Sequence, residues 1–320
     1  MESLTHKPNT DHPEWNESFY FCFADNNNNI RGMSRIGFKP NKPEHMTFFF
    51  LFLPDGSAAG YHTTESIKEY SNPFKVGGMT HHRLPDGNWK YTFDGQLMKV
   101  KNPENFLKIR EKPNLVTGFL NVKMNLNFKP INETYEYSKF MTEESLKVGK
   151  KSGDEHWEQI ALVSGVIQLE EESLHINEAM GQRDHTHGVR DWTGVGNWLY
   201  YVIWFNKDLA VNPAAIIADD GRLSTGGFLF KDGRNIPLKT IKILDQQFRK
   251  DGIMPISSKL ELIDWDNQKH ILIGRVGPII PIPFEDQEEK KSVLIQSFGY
   301  FELDGIPGGY GTFETLRKVE

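Results

Sequence analysis

The amino-acid sequence predicts an all-β, antiparallel protein, and three observations carry that expectation. Short runs rich in aromatic and β-branched residues, which suit a pleated surface, recur along the whole chain. Asp-Gly pairs fall repeatedly between those runs, and glycine there takes positive φ without steric cost. Helix patterns are sparse and short.

In chain order, Ser18–Ala24 is the first strand-like run, and the cluster Asp25-Asn-Asn-Asn-Asn29 reads as the turn after it. Met46–Leu53 is the next, ending at Pro54-Asp-Gly56. Thr64–Tyr70 suits a short helix behind a threonine cap. His81-His82 is expected to be exposed, because adjacent strand residues face opposite ways. Pro85-Asp-Gly87 leads into Asn88–Phe93, with a further turn expected at Asp94-Gly95. Asn102-Pro103-Glu104 opens a short helix, with proline at its first position. Leu115–Phe128 is a long strand. The polar, glycine-containing, basic run Lys147–Asp154 reads as a linker, dividing the chain into domains 1–150 and 151–320. Each half holds enough strands for a barrel or a sandwich, and no short repeat links the two. In the second half the strand-like runs are Glu158–Leu169, Leu199–Phe205, Gly226–Phe230, Leu238–Ile243, Lys259–Trp265, His270–Val276 and Ser292–Leu303. Turns are expected at Gly221, Gly233, Gly252 and Gly305, each preceded by aspartate, and Asp245–Lys250 is a weak helix pattern.

Composition excludes several classes. A net charge of −6, with acids and bases interspersed, lacks the basic face that nucleic-acid binding needs. Apolar runs such as Phe48–Leu53 and Trp198–Phe205 fall far short of the roughly 18 residues of a membrane span. A single cysteine, Cys22, precludes an internal disulfide and sits among aromatics, where a buried thiol is expected. The amino-terminal residues have no apolar stretch of the signal-peptide kind, so a cytoplasmic setting is the expectation. No Gly-x-Ser-x-Gly, Cys-x-x-Cys or His-Glu-x-x-His occurs, and no dinucleotide-binding fingerprint sits between strand and helix. Gly308-Gly-Tyr310-Gly lacks the lysine and following helix of a phosphate loop and reads as a β-turn or bulge.

Two clusters stand out against this background. In Glu155-His156-Trp157-Glu158-Gln159, alternation puts His156 and Glu158 on one strand face, continuing as Ile160 and Leu162. A polar pair at the mouth of an apolar cavity would have this pattern, and so would a strand end emerging into water. In Arg183-Asp-His-Thr-His-Gly-Val-Arg-Asp-Trp192, Arg183, His185 and His187 share one face, and Asp184 and Thr186 share the other. Three readings compete for this stretch. His185 and His187 could converge on a transition metal, with His156 or Glu158 as a further ligand. Arginine–aspartate pairs could merely close a barrel end. Or the acids and imidazoles could move protons, with Trp192, Trp198 and Tyr201 lining an apolar pocket.

Trp15-Asn-Glu17-Ser18, Glu155–Gln159 leading to Gly165, Gly181–Trp192 and the closing glycine-rich turn with Glu314 together resemble a superfamily of tandem lipocalin-like proteins. It includes the hydroxyneurosporene synthase (carotenoid 1,2-hydratase) and AttH-like families and related fungal pericyclases. The family pattern often carries an aromatic where this chain has His187. The resemblance implies two packed β-barrels of eight to ten strands with few short helices. It also implies a hydrophobic substrate of isoprenoid or polyketide type, and no redox cofactor. With the residue patterns, it sets the expectation of cofactor-independent hydration, isomerisation or cyclisation. Asp184 and His185 are the expected proton-handling pair, with Glu158 and His156 completing the polar cluster. Arg183, His187, Arg190, Trp192, Trp198, Tyr201, Glu17 and Tyr310 are expected to contact substrate, and no metal is assigned. The expected partner is a hydrophobic small molecule, with no nucleic acid and no stable membrane insertion; a homodimer is left open. The alternatives are a carrier without chemistry and a His-x-His metal enzyme.

Overall fold

The computed structural model describes residues 2–42, 44–67 and 69–319. The chain runs through β1 (Trp15–Asp25), β2 (Ile30–Lys39), β3 (Glu44–Phe52), β4 (Ala58–Glu65), β5 (Phe74–Val76), β6 (Met79–Arg83), β7 (Trp89–Val100) and β8 (Val116–Pro130). The short strand β9 (Tyr135–Glu136) and helix α1 (Glu143–Gly149) precede β10 (Glu155–Leu169) and β11 (Glu172–Val189). Then follow β12 (Asn197–Asn206), β13 (Leu209–Ile217), β14 (Leu223–Lys231), β15 (Arg234–Phe248), β16 (Pro255–Asp264), β17 (Lys269–Arg275), β18 (Ile279–Glu285), β19 (Lys291–Leu303) and β20 (Ile306–Val319). The protein is all-β, as the hairpin signals predict.

Contacts divide the chain into two compact units. The first runs to Thr134 and resumes over Gly153–Arg190; the second comprises Tyr135–Ser152 and the chain from Asp191 onward. A single cut near 150 differs from this division, because β10 and β11 lie beyond it and complete the first unit. β11 pairs with β1, at the opposite end of that unit's sequence, and β10 pairs with β8.

In the first unit, β1-β2-β3-β4-β7-β8-β10-β11 close on themselves through the β4–β7 and β1–β11 pairings, giving an eight-stranded antiparallel barrel. The β5–β6 hairpin extends from β7. Alternation turns Phe19, Phe21 and Phe23 of β1 inward, where they meet rings such as Phe49, Trp89, Tyr91 and Phe128. Each fully buried ring stabilises the fold by about 1.5–3 kcal/mol, so aromatics supply what the modest aliphatic content does not. Cys22 is buried, as expected. His81, expected outside, is fully buried instead, bonded to Ser34 Oγ at 3.0 Å. Its strand carries one histidine inward, and burial pushes that ring's pKa down to about 3, so it stays neutral.

The second unit repeats the plan. β12 to β17 with β19 and β20 form an eight-stranded ring closed by β17–β19 and β12–β20, and β18 lies outside it on β19. Leu199, Tyr201, Ile203, Leu229, Leu260, Phe301 and Phe313 belong to its core.

The Asp-Gly turns form where predicted: Gly56, Gly87, Gly221, Gly233, Gly252 and Gly305 all have φ between 69 and 86°. Asp94-Gly95 is the exception. It lies inside β7, paired with Lys123 and Val122 of β8. The helix expected at Thr64–Tyr70 does not form over its described residues: Thr64 and Glu65 end β4, and those that follow are irregular (Lys68 lies outside the described residues). The Asp245–Lys250 pattern falls largely within β15, where tertiary pairing with β16 overrides a weak local preference. Asn102 does cap a short 3₁₀ helix over Pro103–Lys108. Two glycines are required by the barrel walls. A Cβ on Gly165 would stand 2.1 Å from the Asn125 carbonyl oxygen, and one on Gly311 1.9 Å from that of Val202.

Candidate functional site

The charged stretch of the sequence forms the end of β11, and alternation splits it between the two faces of the first barrel's wall. Arg183, His185 and His187 lie across from Phe21, Phe19 and Glu17 of β1, on the face that carries the core rings. Gln182, Asp184 and Thr186 point the other way, beside Ile160, Glu158 and His156 of β10. Asp184 and His185 therefore do not form a pair; each belongs to a different cluster.

The inner cluster is closed by the amino-terminal segment. Glu2 accepts from both terminal nitrogens of Arg183 at 2.6 Å, a bidentate pair, and stands 2.7 Å from His185 Nδ1. The other ring nitrogen of His185 lies 2.5 Å from Glu17 Oε1. Glu17 also accepts the backbone N–H of His6 at 2.6 Å and meets the His6 ring at 3.1 Å. Gln159 Oε1 accepts from Arg183 at 3.0 and 3.2 Å. Phe19 stacks on His185, and His6 stacks on both Trp157 and His187, which also touch each other. Burial opposes charge on Glu2, but Arg183 and His185 outweigh it and hold that carboxyl well below its ordinary value. Glu17 is lowered likewise, against its burial, by His185 and His6. Burial opposes a proton on His185 as well, yet the two flanking carboxylates raise its pKa. His187 is pushed down to about 4 by burial and by the neighbouring His6.

On the outer face, His156 Nε2 stands 2.8 Å from Glu158 Oε1 and 3.3 Å from Asp184 Oδ2. Gln182 donates to Glu158, and Thr186 donates to Asp184 at 3.0 Å. Burial disfavours the imidazolium here, but Asp184 and then Glu158 overcome it and push His156 up to about 10. Asp184 is lowered, against its own burial, by His156, Arg190 and Thr186. Glu158 is fully buried, whereas a quarter of the His156 side chain is exposed. The arrangement is a charged imidazole whose buried Nε2 faces two carboxylates while another part of the side chain is exposed. It can give up a proton and take one back. Each cluster also brings three ligand-type side chains together, with atoms within 4.8 Å: His6, Glu17 and His185 inside, and His156, Glu158 and Asp184 outside.

The remaining expected contact residues belong to the second unit. Trp198 donates its indole N–H to Glu314 at 2.9 Å, and Gln296 donates to the same carboxylate at 2.5 Å. Trp192 stacks on Phe284 at 4.5 Å, Tyr201 packs on Phe313 in the core, and Tyr310 lies edge-on to Trp204. Sequence reasoning missed Glu2, His6, Gln182 and Gln296. Gln182 was readable, since it shares the Asp184 face by alternation. Glu2 and His6 lie in an irregular segment with no periodicity to reveal where it docks.

With this geometry in view, comparison with known proteins places the chain. It belongs to the family described as a domain of unknown function, DUF7064, whose model matches residues 2–319. No curated protein matches it. Among solved structures it resembles the AttH-like protein NE1406 of Nitrosomonas europaea, with TM-score 0.65 at 11% identity over 99% of this chain and 98% of the other. It resembles kievitone hydratase of Nectria haematococca, with TM-score 0.59 at 10% identity over 94% and 88%. CghA in complex with Sch210972 matches with TM-score 0.58 at 9% identity over 96% and 89%. The fold expected from the motifs is thus shared with these proteins, and at these identities the likeness is one of fold alone. No helix among the described residues is long and apolar enough to cross a membrane.

Proposed function

We propose that this protein binds a hydrophobic small molecule and carries out hydratase- or cyclase-like acid–base chemistry at the outer cluster of its first barrel. The observation that carries the reading is the His156–Glu158–Asp184 arrangement: three ionisable groups in mutual contact, with the imidazole partly open to its surroundings. The fold shared with kievitone hydratase and CghA supports it. His156 is the proton donor. At neutral pH its ring holds the proton, which it can share with a developing enolate or alkoxide oxygen placed against it. Asp184, ionised beside it, accepts a proton from a water or an acidic C–H of the ligand. Glu158 orients His156 and keeps it charged, and Gln182 fixes Glu158 in turn. A proton delivered by His156 and recovered through Asp184 returns the cluster to its starting state, so no redox partner enters the cycle.

The test is to incubate the purified full-length protein with a panel of isoprenoid and polyketide compounds, kievitone among them, and to follow products by liquid chromatography and mass spectrometry. Hydration adds the mass of one water; isomerisation or cyclisation gives an isobaric product at a new retention time. Asp184→Asn is expected to lower turnover by about 100-fold or more, with the circular dichroism unchanged. Full turnover in that variant would refute the assignment. A ligand retained but never converted would make the protein a carrier.

A further inference from the structure

We propose that the inner cluster is a structural site for one divalent transition-metal ion, held by His6, Glu17 and His185, which fastens the amino-terminal segment to the first barrel. It uses no group of the outer cluster and stands independently of the chemistry proposed there. Three observations carry it.

The donor set is of the right kind. Two imidazoles and one carboxylate suit zinc and its first-row neighbours, whereas calcium and magnesium take oxygen ligands. The spacing also fits. Ligand atoms about 2.0–2.1 Å from a tetrahedral ion stand roughly 3.3 Å apart. His6 Nδ1 and Glu17 Oε1 are 3.1 Å apart, and His185 Nε2, now 2.5 Å from Glu17, has to withdraw by less than about 1 Å.

The support behind the ligands matches what a metal-bound imidazole requires. His185 offers Nε2 to the site while its Nδ1 is held by the Glu2 carboxylate, the carboxylate–histidine–metal arrangement that fixes ring orientation. Glu2 is itself clamped by both terminal nitrogens of Arg183. Arg183 offsets the charge of Glu2, and a bound cation would offset that of Glu17.

The His187 ring stacks on that of His6, 3.9 Å centroid to centroid, and lies outside the three-ligand group, so it backs the His6 ring without joining the ligands. With three protein ligands, the fourth position of a tetrahedral ion falls to water. Of the His-x-His pair on β11, His185 alone serves this site, with partners from β1 and the amino-terminal segment. His156 and Glu158, on the opposite face of the wall, take no part.

The experiment uses full-length protein purified without a histidine tag and stripped with a chelator. Titration with cobalt(II) is expected to give a visible absorption band that saturates at one equivalent and is displaced by zinc. Zinc is expected to raise the thermal midpoint. His6→Ala, outside every strand, should weaken cobalt binding at least tenfold and remove the zinc-induced rise. Glu2→Gln, which removes the carboxylate behind His185 together with the Arg183 pair but none of the three ligands, should weaken it by about 10- to 100-fold. His12→Ala, on the same segment but away from the cluster, should leave both readouts unchanged. No saturable band near stoichiometric cobalt, or wild-type binding by His6→Ala, would overturn the site and leave a metal-free ion-pair clasp.

Discussion

In the first barrel Asp184 of β11 lies across from Tyr20 of β1 and Glu158 of β10. In the second, Glu314 of β20 lies across from Tyr200 of β12 and accepts from Gln296 of β19. The strands occupy corresponding places in the two rings, and Gly181-Gln-Arg-Asp184 and Gly311-Thr-Phe-Glu314 share one spacing. Around that shared tyrosine, acid and glycine the chemistry differs. Where the first barrel pairs His156 with Thr186, the second pairs Leu294 with Leu316. Where Arg183 sits beside Phe21, the second has Phe313 beside Tyr201. The second barrel keeps an acid at the Asp184 position, Glu314, held by Trp198 and Gln296, but has leucine, glutamine and threonine where the first has His156, Glu158 and His185. An ion-pair network is thus not what this architecture needs to close a barrel end, and the first barrel's acids and imidazoles call for another reason. That contrast favours a functional reading of its two clusters.

The largest effect expected from breaking the contrast is on stability. Arg183→Ala leaves Glu2 buried against a vanished partner and should cost about 3–5 kcal/mol in urea unfolding. Phe313→Ala at the matched position should cost a similar amount through a cavity instead. A loss under about 1 kcal/mol for Arg183→Ala would mean that the clamp on Glu2 does not persist in solution. Next comes activity. Asp184→Asn is expected to reduce kcat about 100-fold, near 2.7 kcal/mol of barrier, whereas Glu314→Gln should change it less than about threefold. Equal losses in the two variants would extend the site to the second barrel.

A pH series sharpens the comparison further. The folded-state pKa of His156 lies above its unfolded value of 6.5. Its stabilisation is therefore complete below pH 6.5 and is lost as pH climbs toward about 10. Leucine at the matched position of the second barrel cannot contribute such a slope. His156→Gln should flatten the dependence of the urea midpoint on pH across that window, and an unchanged slope would mean another group is responsible. The smallest effect is expected from Thr186→Val, which removes the hydroxyl bonded to Asp184 and should cost about 1–2 kcal/mol.

Much of this was legible before any coordinates. Six Asp-Gly pairs became hairpin turns, because glycine's freedom at positive φ is a local property that tertiary structure seldom overrides. Alternation correctly grouped His156 with Glu158, and Arg183 with His185 and His187. The same rule places Asp184 and His185 on opposite faces, so their expected pairing rests on adjacency in sequence alone, which does not bring side chains together on a strand. What could not be read was long-range. β11 returns to pair with β1 across most of the first unit's sequence, and no local pattern encodes that closure. Nor does the composition of residues 2–14 reveal that Glu2 and His6 dock beside His185. The split of the units at Thr134 and Gly153 is hidden for the same reason.

The back-to-back placement of two clusters on β11 has a consequence for how this protein can change over time. A single residue inserted ahead of Gln182 would exchange the strand's two sides, sending the aspartate among the rings and the histidines outward. Each cluster therefore polices the reading frame of the other. The span from Gly181 to Gly188 is thereby held to a fixed length.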